Sequence, residues 1–257
     1  VDTEHTLGTV ITRLRQAGCV FAEDEARLLT EAARTPAELD DLVTRRVAGL
    51  PLEHLLGWAE FHGHRITVEP GVFVPRRRTE HLVDQAAALG GHVVLDLCCG
   101  SGAVGVALAA ELGETELHAA DIDPAAVRCA RRNVEPAGGE VHEGDLFAPL
   151  PAHLRGRIDL LVVNAPYVPT DAIAMMPPEA RDHEPRVALD GGPDGVDIHR
   201  RITASAAEWL APDGHLLIET GAAQAPVTAA AFTAGGLHPR VVHNEELGGT
   251  VIVGALR

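Results

Sequence analysis

The chain has 257 residues, 46% of them hydrophobic, and a formal charge of -16, which suits one generous domain or a standard α/β domain with a small accessory one, able to fold alone. So acidic a surface repels polyanions and argues against nucleic acid as a partner. Lysine is absent, which excludes Schiff-base chemistry and the P-loop lysine.

No apolar run is long enough to span a bilayer, and residues 1–18 carry charges where a signal-peptide core would be apolar. The expectation is a cytoplasmic protein with no membrane partner. From Thr6 to Leu56 apolar residues recur at helical spacing (Leu7, Val10, Ile11, Leu14; Ala26, Leu28, Leu29, Ala32; Leu39, Leu42, Val43, Val47), interrupted by Gly18 and Pro36. This pattern predicts a small helical bundle. Residues 60–74 alternate around Gly63 and Pro70-Gly71, predicting a β-hairpin that leads to Pro75-Arg76.

Strand and helix then alternate, with strands expected at 93–97, 116–120, 140–142, 158–163, 214–219 and 251–255 and an Ala-rich helix over 222–234. Such alternation predicts a parallel sheet covered by helices. Residues 166–195, rich in Pro, Gly and Asp, form the longest irregular stretch, and a loop of that length in a compact domain is functional or disordered. The expected division is a helical N-terminal domain over 1–58, a β-hairpin linker over 59–75 and an α/β domain over 76–257.

Several side-chain chemistries are set aside. Cys19, Cys98, Cys99 and Cys129 lack C-x-x-C spacing and a Cys98–Cys99 bridge would be strained, so all four are read as reduced. His62 and His64 share a strand face, but no third ligand accompanies them in sequence, and no metal is expected. Ser101 lacks the outer glycine of a G-x-S-x-G elbow, which argues against a serine hydrolase.

The strand 93–97 runs into Cys98-Cys99-Gly100-Ser101-Gly102-Ala103-Val104-Gly105 and then an apolar helix. Glycines thus fall where the backbone must turn sharply and approach a ligand closely. Gly100, Gly102 and Gly105 spell G-x-G-x-x-G, and Asp121 follows about twenty residues later, as the ribose-binding acid of a dinucleotide fold would. Three features favour S-adenosylmethionine over a dinucleotide. Asp96 sits before the glycine loop, where a carboxylate suits the amino group of the methionine part and would repel a pyrophosphate. Asp145 follows the third strand, placed to accept from an adenine amino group. Asn164-Ala165-Pro166-Tyr167 follows the fourth strand, a position without a dinucleotide role. Asp123-Pro124 supplies a helix cap and leaves Asp121 for ribose hydroxyls.

These residues resemble the HemK-type protein-(glutamine-N5) methyltransferases that modify peptide-release factors. The likeness runs through Pro51-Leu52-Glu53-His54-Leu55-Leu56-Gly57, Glu60-Phe61-His62-Gly63, Val74-Pro75-Arg76 with Thr79-Glu80, the glycine loop, the 164–167 loop, Glu184-Pro185-Arg186-Val187-Ala188-Leu189-Asp190-Gly191-Gly192 and the 214–221 segment. It implies a class I S-adenosylmethionine methyltransferase with a Rossmann-like seven-stranded sheet. It also implies that Asp96, Cys98, Cys99, Gly100, Ser101, Gly102, Asp121, Ile122, Asp145, Leu146 and Asn164 hold the cofactor, and that Asn164, Ala165, Pro166 and Tyr167 hold the acceptor amide. Arg76, Glu184 and Arg186 are expected at the substrate, the last two either closing the loop or forming only a structural clasp. The chain departs from the family pattern at Ala165, where a proline is usual, and at Leu146, where an aromatic is common.

Methyl transfer from a sulfonium chiefly requires that the nucleophile be positioned. Asn164 Oδ1 and the Ala165 carbonyl would accept the two hydrogens of an NH₂ group and stabilise charge developing on its nitrogen, with the Tyr167 ring facing the sulfonium. Three readings stay open: methylation of a protein glutamine, with a release factor as the protein partner; N-methylation of a small molecule or amino-acid intermediate; and cofactor binding without catalysis.

Overall fold

The computed structural model describes residues 3–256. Helices α1 (Thr3–Gln16), α2 (Ala22–Ala32), α3 (Pro36–Val47) and α4 (Leu52–Leu56) come first. The predicted periodicity is what packs them: Val10, Leu14, Ala26, Leu29, Leu42 and Val43 form a common core. Both interruptions act as stops. Gly18 adopts φ 89° after α1, and Pro36 opens α3 behind Thr35, whose Oγ1 accepts the Glu38 N–H.

A buried ion pair ties this segment to the rest. Arg46 Nε donates to Glu25 Oε2 at 2.6 Å inside the helical segment, and its Nη1 reaches Glu179 Oε1 at 2.6 Å, 133 residues away.

The hairpin is shorter than predicted. Strands β1 (Trp58–Phe61) and β2 (His64–Thr67) pair through His62-Gly63, both at positive φ (50° and 75°), as a two-residue hairpin turn requires. Residues 68–76 continue without strand partners, burying Val68, Val72 and Val74.

Next come α5 (Glu80–Leu89), β3 (Val93–Leu97), α6 (Ala103–Leu112), β4 (Glu116–Asp121), α7 (Pro124–Val134), β5 (Glu140–Glu143), β6 (Ile158–Val163), α8 (Pro178–His183), α9 (Asp197–Ala206), β7 (Leu210–Glu219), α10 (Ala225–Ala234), β8 (Leu237–Asn244) and β9 (Gly249–Leu256). The seven-stranded sheet has the order β5-β4-β3-β6-β7-β9-β8. Its two faces carry separate cores, one containing Leu95, Leu161 and Phe232, the other Val94, Leu108 and Leu217. Burial on both faces explains why β3 and β6 are apolar but for one aspartate each, Asp96 and Asp159.

Two expectations need correction. The sheet is mixed: β7–β9 and β8–β9 pair antiparallel, because β8 and β9 are joined by a short hairpin that permits no parallel crossover. The 166–195 stretch holds two 3₁₀ turns at Thr170–Met175 and one at Arg186–Ala188, with α8 between them. Strand order reverses between β3 and β6, so a crevice opens beyond their carboxyl ends, the usual ligand position in such sheets.

Removing one member of a buried ion pair strands the other. Glu25→Ala is expected to destabilise the protein by about 3 kcal/mol in urea unfolding. Glu179→Ala, at a half-exposed carboxylate, is expected to cost about 1 kcal/mol or less.

Candidate active site

A cavity of about 440 Å³ occupies that crevice, within the range of roughly 300–1,000 Å³ typical of small-molecule sites. The turns after β3, β4, β5 and β6 build its floor, and the segments 73–79 and 176–189 close its sides.

The β3 turn is tightly wound. Cys98, Gly100 and Gly102 all take left-handed φ (60°, 54° and 78°), a conformation rare for a side chain such as that of Cys98 and concentrated at functional sites. Gly100 lines the cavity, and a Cβ there would meet nothing within 4 Å. Gly102, expected to touch the cofactor, does not line the cavity; a Cβ on it would lie 2.6 Å from Val134 Cγ2. Its role is therefore close packing of the turn against α7. Burial pushes the thiols of Cys98 and Cys99 well up, so both stay protonated, and neither is in a disulfide.

Asp96 lines the cavity yet is only 2% exposed. Its Oδ2 accepts the Gly105 N–H at 2.8 Å, and a Cβ on Gly105 would crowd that same oxygen at 3.2 Å. Burial outweighs this hydrogen bond and raises the carboxyl pKa to about 8. A carboxyl in this condition suits a cationic group, whose approach restores its charge.

Asp121 is not left free by the Asp123 cap. Asp123 Oδ1 does accept the Ala125 N–H, but Asp121 also accepts Gly100 N–H at 2.8 Å and Asp123 N–H at 2.9 Å, one on each oxygen. One lone pair per oxygen remains for a diol, and Ile122 beside it stands 52% exposed at the cavity wall. Asp145 also has a protein partner, Arg201 Nη2 at 2.6 Å. Leu146, likewise in the wall, is held at φ 49°. A buried acid, a diol-ready carboxylate and an apolar shelf around a sharp glycine turn fit S-adenosylmethionine.

Across the cavity, Asn164 Nδ2 donates to the buried Thr79 Oγ1 at 3.3 Å. This contact turns the amide so that Oδ1 carries its acceptor side. Neither that oxygen nor the neighbouring Ala165 carbonyl accepts a hydrogen bond from a described residue. Pro166 and Tyr167 complete this wall. The Tyr167 hydroxyl donates to Glu219 Oε1 at 3.1 Å, and burial holds its pKa above the ordinary phenol value. The Arg78 guanidinium, 5.8 Å from the Tyr167 ring centroid, also donates to Glu219.

Arg76 and Glu184 meet in the wall, one guanidinium nitrogen 2.6 Å from each carboxylate oxygen, while Val74 N–H donates to Glu184 Oε1. Arg186, expected with them, lies outside the cavity and is paired with Asp190. Glu184 is taken by Arg76 and the Val74 N–H instead. His62 pairs with Asp84 and Glu111. Sequence reasoning missed Arg201 and Glu219, and it quoted Thr79 only within a motif.

The Methyltransferase small domain model matches residues 63–177. The chain is 42% identical to the release factor glutamine methyltransferase of Geobacter sulfurreducens over 76% of this chain and 69% of that protein. It is 36% identical to the 4-amino-L-phenylalanine/4-methylamino-L-phenylalanine methyltransferase of Streptomyces pristinaespiralis over 80% of this chain and 73% of that protein. Among solved structures, a methyltransferase from Pyrococcus furiosus superposes with a TM-score of 0.57 at 16% identity, covering 75% and 89% of the two chains. Fold and relatives together define an S-adenosylmethionine-dependent methyltransferase of class I. Within that class, the chain belongs to the release factor glutamine methyltransferase family.

A cation drawn to Asp96 favours the ionised carboxyl, so affinity for S-adenosylmethionine should rise with pH and level off above about 8. At pH 7 the wild type should release more protons on binding than Asp96→Asn does, read by calorimetry in buffers of different ionisation enthalpy. Equal release by the two proteins would disprove the assignment.

Proposed function

We propose that this enzyme transfers a methyl group to the side-chain amide nitrogen of a glutamine in a protein, a release factor being the first substrate to test. The orientation of Asn164 carries the reading. With its NH₂ group committed to Thr79 at 3.3 Å, its oxygen and the adjacent Ala165 carbonyl form a pair of acceptors with no partner among the described residues.

Asp96, Asp121, Ile122 and Leu146 would hold S-adenosylmethionine, with Asp145 at the adenine. When bound, this group supplies a methyl on a positively charged sulfur, an already activated leaving group. An amide nitrogen is a poor nucleophile because its lone pair is delocalised into the carbonyl. The two acceptors fix both N–H bonds, aim the nitrogen and stabilise positive charge growing on it. Tyr167, kept neutral and held by Glu219, adds a rigid wall beside them. The Arg76–Glu184 pair locks the 176–189 segment over the acceptor end, which limits water there.

A relative named for 4-amino-L-phenylalanine favours a second reading, methylation of a free amino-acid derivative. Ala165 and Leu146 are the departures that accompany it. No described helix is long and apolar enough to cross a membrane, and we place the enzyme in the cytoplasm, where release factors work.

Purified enzyme with labelled S-adenosylmethionine should label a release factor at glutamine, located by mass spectrometry, and leave free 4-amino-L-phenylalanine unlabelled. The reverse result selects the second reading. Asn164→Ala should lower kcat by about 10²-fold or more with cofactor affinity unchanged, whereas an unchanged kcat would remove the acceptor pair from the mechanism.

A further inference from the structure

Two Glu-x-His segments, Glu116-Leu117-His118 and Glu140-Val141-His142, lie side by side in the sheet. The first lies on β4 and the second on β5, neighbouring parallel strands in a register that sets His118 opposite Glu140. Side chains alternate along a strand, so Leu117 and Val141 pack into the core on one face, while both Glu–His pairs project from the other. His153, from the turn at Ala152–Leu154, lies over the same face.

The result is a cluster of nitrogen and oxygen donors distinct from the methyl-transfer cavity, which none of them lines. His118, only 4% exposed, is surrounded by metal-ligating groups. Its Nδ1 is 3.0 Å from His142 Nε2 and its Nε2 is 3.4 Å from Glu116 Oε1. Donor atoms of His118, Glu140 and His142 all lie within 4.8 Å of one another. Two nitrogens on a tetrahedral zinc ion stand about 3.3 Å apart, given Zn–N bonds of about 2.0–2.1 Å. The two imidazoles therefore need to open by only a few tenths of an ångström.

We propose that His118 Nδ1, His142 Nε2 and a Glu140 carboxylate oxygen form a binding site for a divalent cation, with zinc the ion these ligands suit best. Glu116 takes a supporting role. It accepts from Arg157 at 2.9 Å and receives the His118 Nε2–H, which leaves Nδ1 bare and orients the ring, as carboxylates behind ligating histidines do. His142 then donates its Nε2–H to His118 in the free protein. On binding, that proton moves to His142 Nδ1 through solvent, so both rings stay neutral and ligate through bare nitrogens. Glu140 has no ion-pair partner among the described residues, so its charge is available. Bound metal would pin the edge strand β5 to β4, the two strands whose carboxyl ends carry Asp121 and the 144–146 turn into the cavity.

The test is titration of the chelator-treated full chain with Zn²⁺ by calorimetry and with Co²⁺ by visible absorption. Expected are one equivalent bound, the intense ligand-field bands of low-coordinate Co²⁺, their displacement by Zn²⁺, and a raised melting temperature. His142→Ala and Glu140→Gln should each weaken binding at least about tenfold, with methyl transfer unchanged. Absence of saturable binding overturns the proposal. So does wild-type affinity in both variants, or a loss in His153→Ala without one in His142→Ala.

Discussion

A carboxyl group sealed beneath the glycine turn is the constraint around which the site is organised. Asp96 sits on β3, an interior strand of a sheet covered on both faces, and the only hydrogen bond it receives from a described residue is the Gly105 N–H. Burial without a cation leaves such a group protonated near neutrality. Its charged form becomes favourable when a ligand brings positive charge to it. Gly105 lets α6 lie close against Asp96, Gly102 lets the turn approach α7, and the strained Cys98 turns the chain between β3 and α6. The loop is shaped by packing first, and the cavity is what the packing leaves.

The acceptor wall is organised from a different direction. Thr79, at the start of α5, orients Asn164 at the end of β6. Arg78, its neighbour, reaches Glu219 at the end of β7, and Tyr167 meets the same carboxylate. Glu219 is 1% exposed and its second oxygen lacks a hydrogen-bond partner among the described residues, so the arginine and the tyrosine supply its contacts. Residues 76–79 thus act as a clasp: Arg76 holds the 176–189 segment, Arg78 the back wall and Thr79 the acceptor itself. Arg46, through Glu179, extends the same segment's attachments to the amino-terminal helices.

Local physics made much of this legible. The bounds of β3 and β6 follow from the sequence because strands buried on both faces read as dense Val/Leu/Ile runs, here interrupted only by Asp96 and Asp159. The strand β8 was missed because it lies at a sheet edge, alternates with polar residues and includes Pro239, which edge strands tolerate. Contacts between distant residues were the hidden part. Glu184 and Arg186 are close in the chain and look like partners, yet the arginine on Glu184 comes from 108 residues earlier. Asp145 likewise meets Arg201 across 56 residues, and neither spacing nor composition could announce it. The Glu-x-His repeat was in plain view but gained meaning only when the sheet order made β4 and β5 neighbours.

Alanine at 165 can then be judged by what else restrains the loop. Proline would fix one φ, a stabilisation of about 1 kcal/mol or less. Here Val168 N–H donates to the Leu189 carbonyl, Gly191 N–H to the Val168 carbonyl and Thr170 N–H to the Gly192 carbonyl, a short ladder that binds the continuation of the 164–167 loop to residues 189–192. Gly195 passes so close beneath Tyr167 that a Cβ on it would lie 2.4 Å from the Tyr167 carbonyl oxygen. Ala165 itself is buried. Tertiary contacts thus supply the rigidity that the missing ring would have provided, and the carbonyl the chemistry needs belongs to the backbone whichever residue stands there. The substitution therefore leaves in place the backbone acceptor that an NH₂ group would meet.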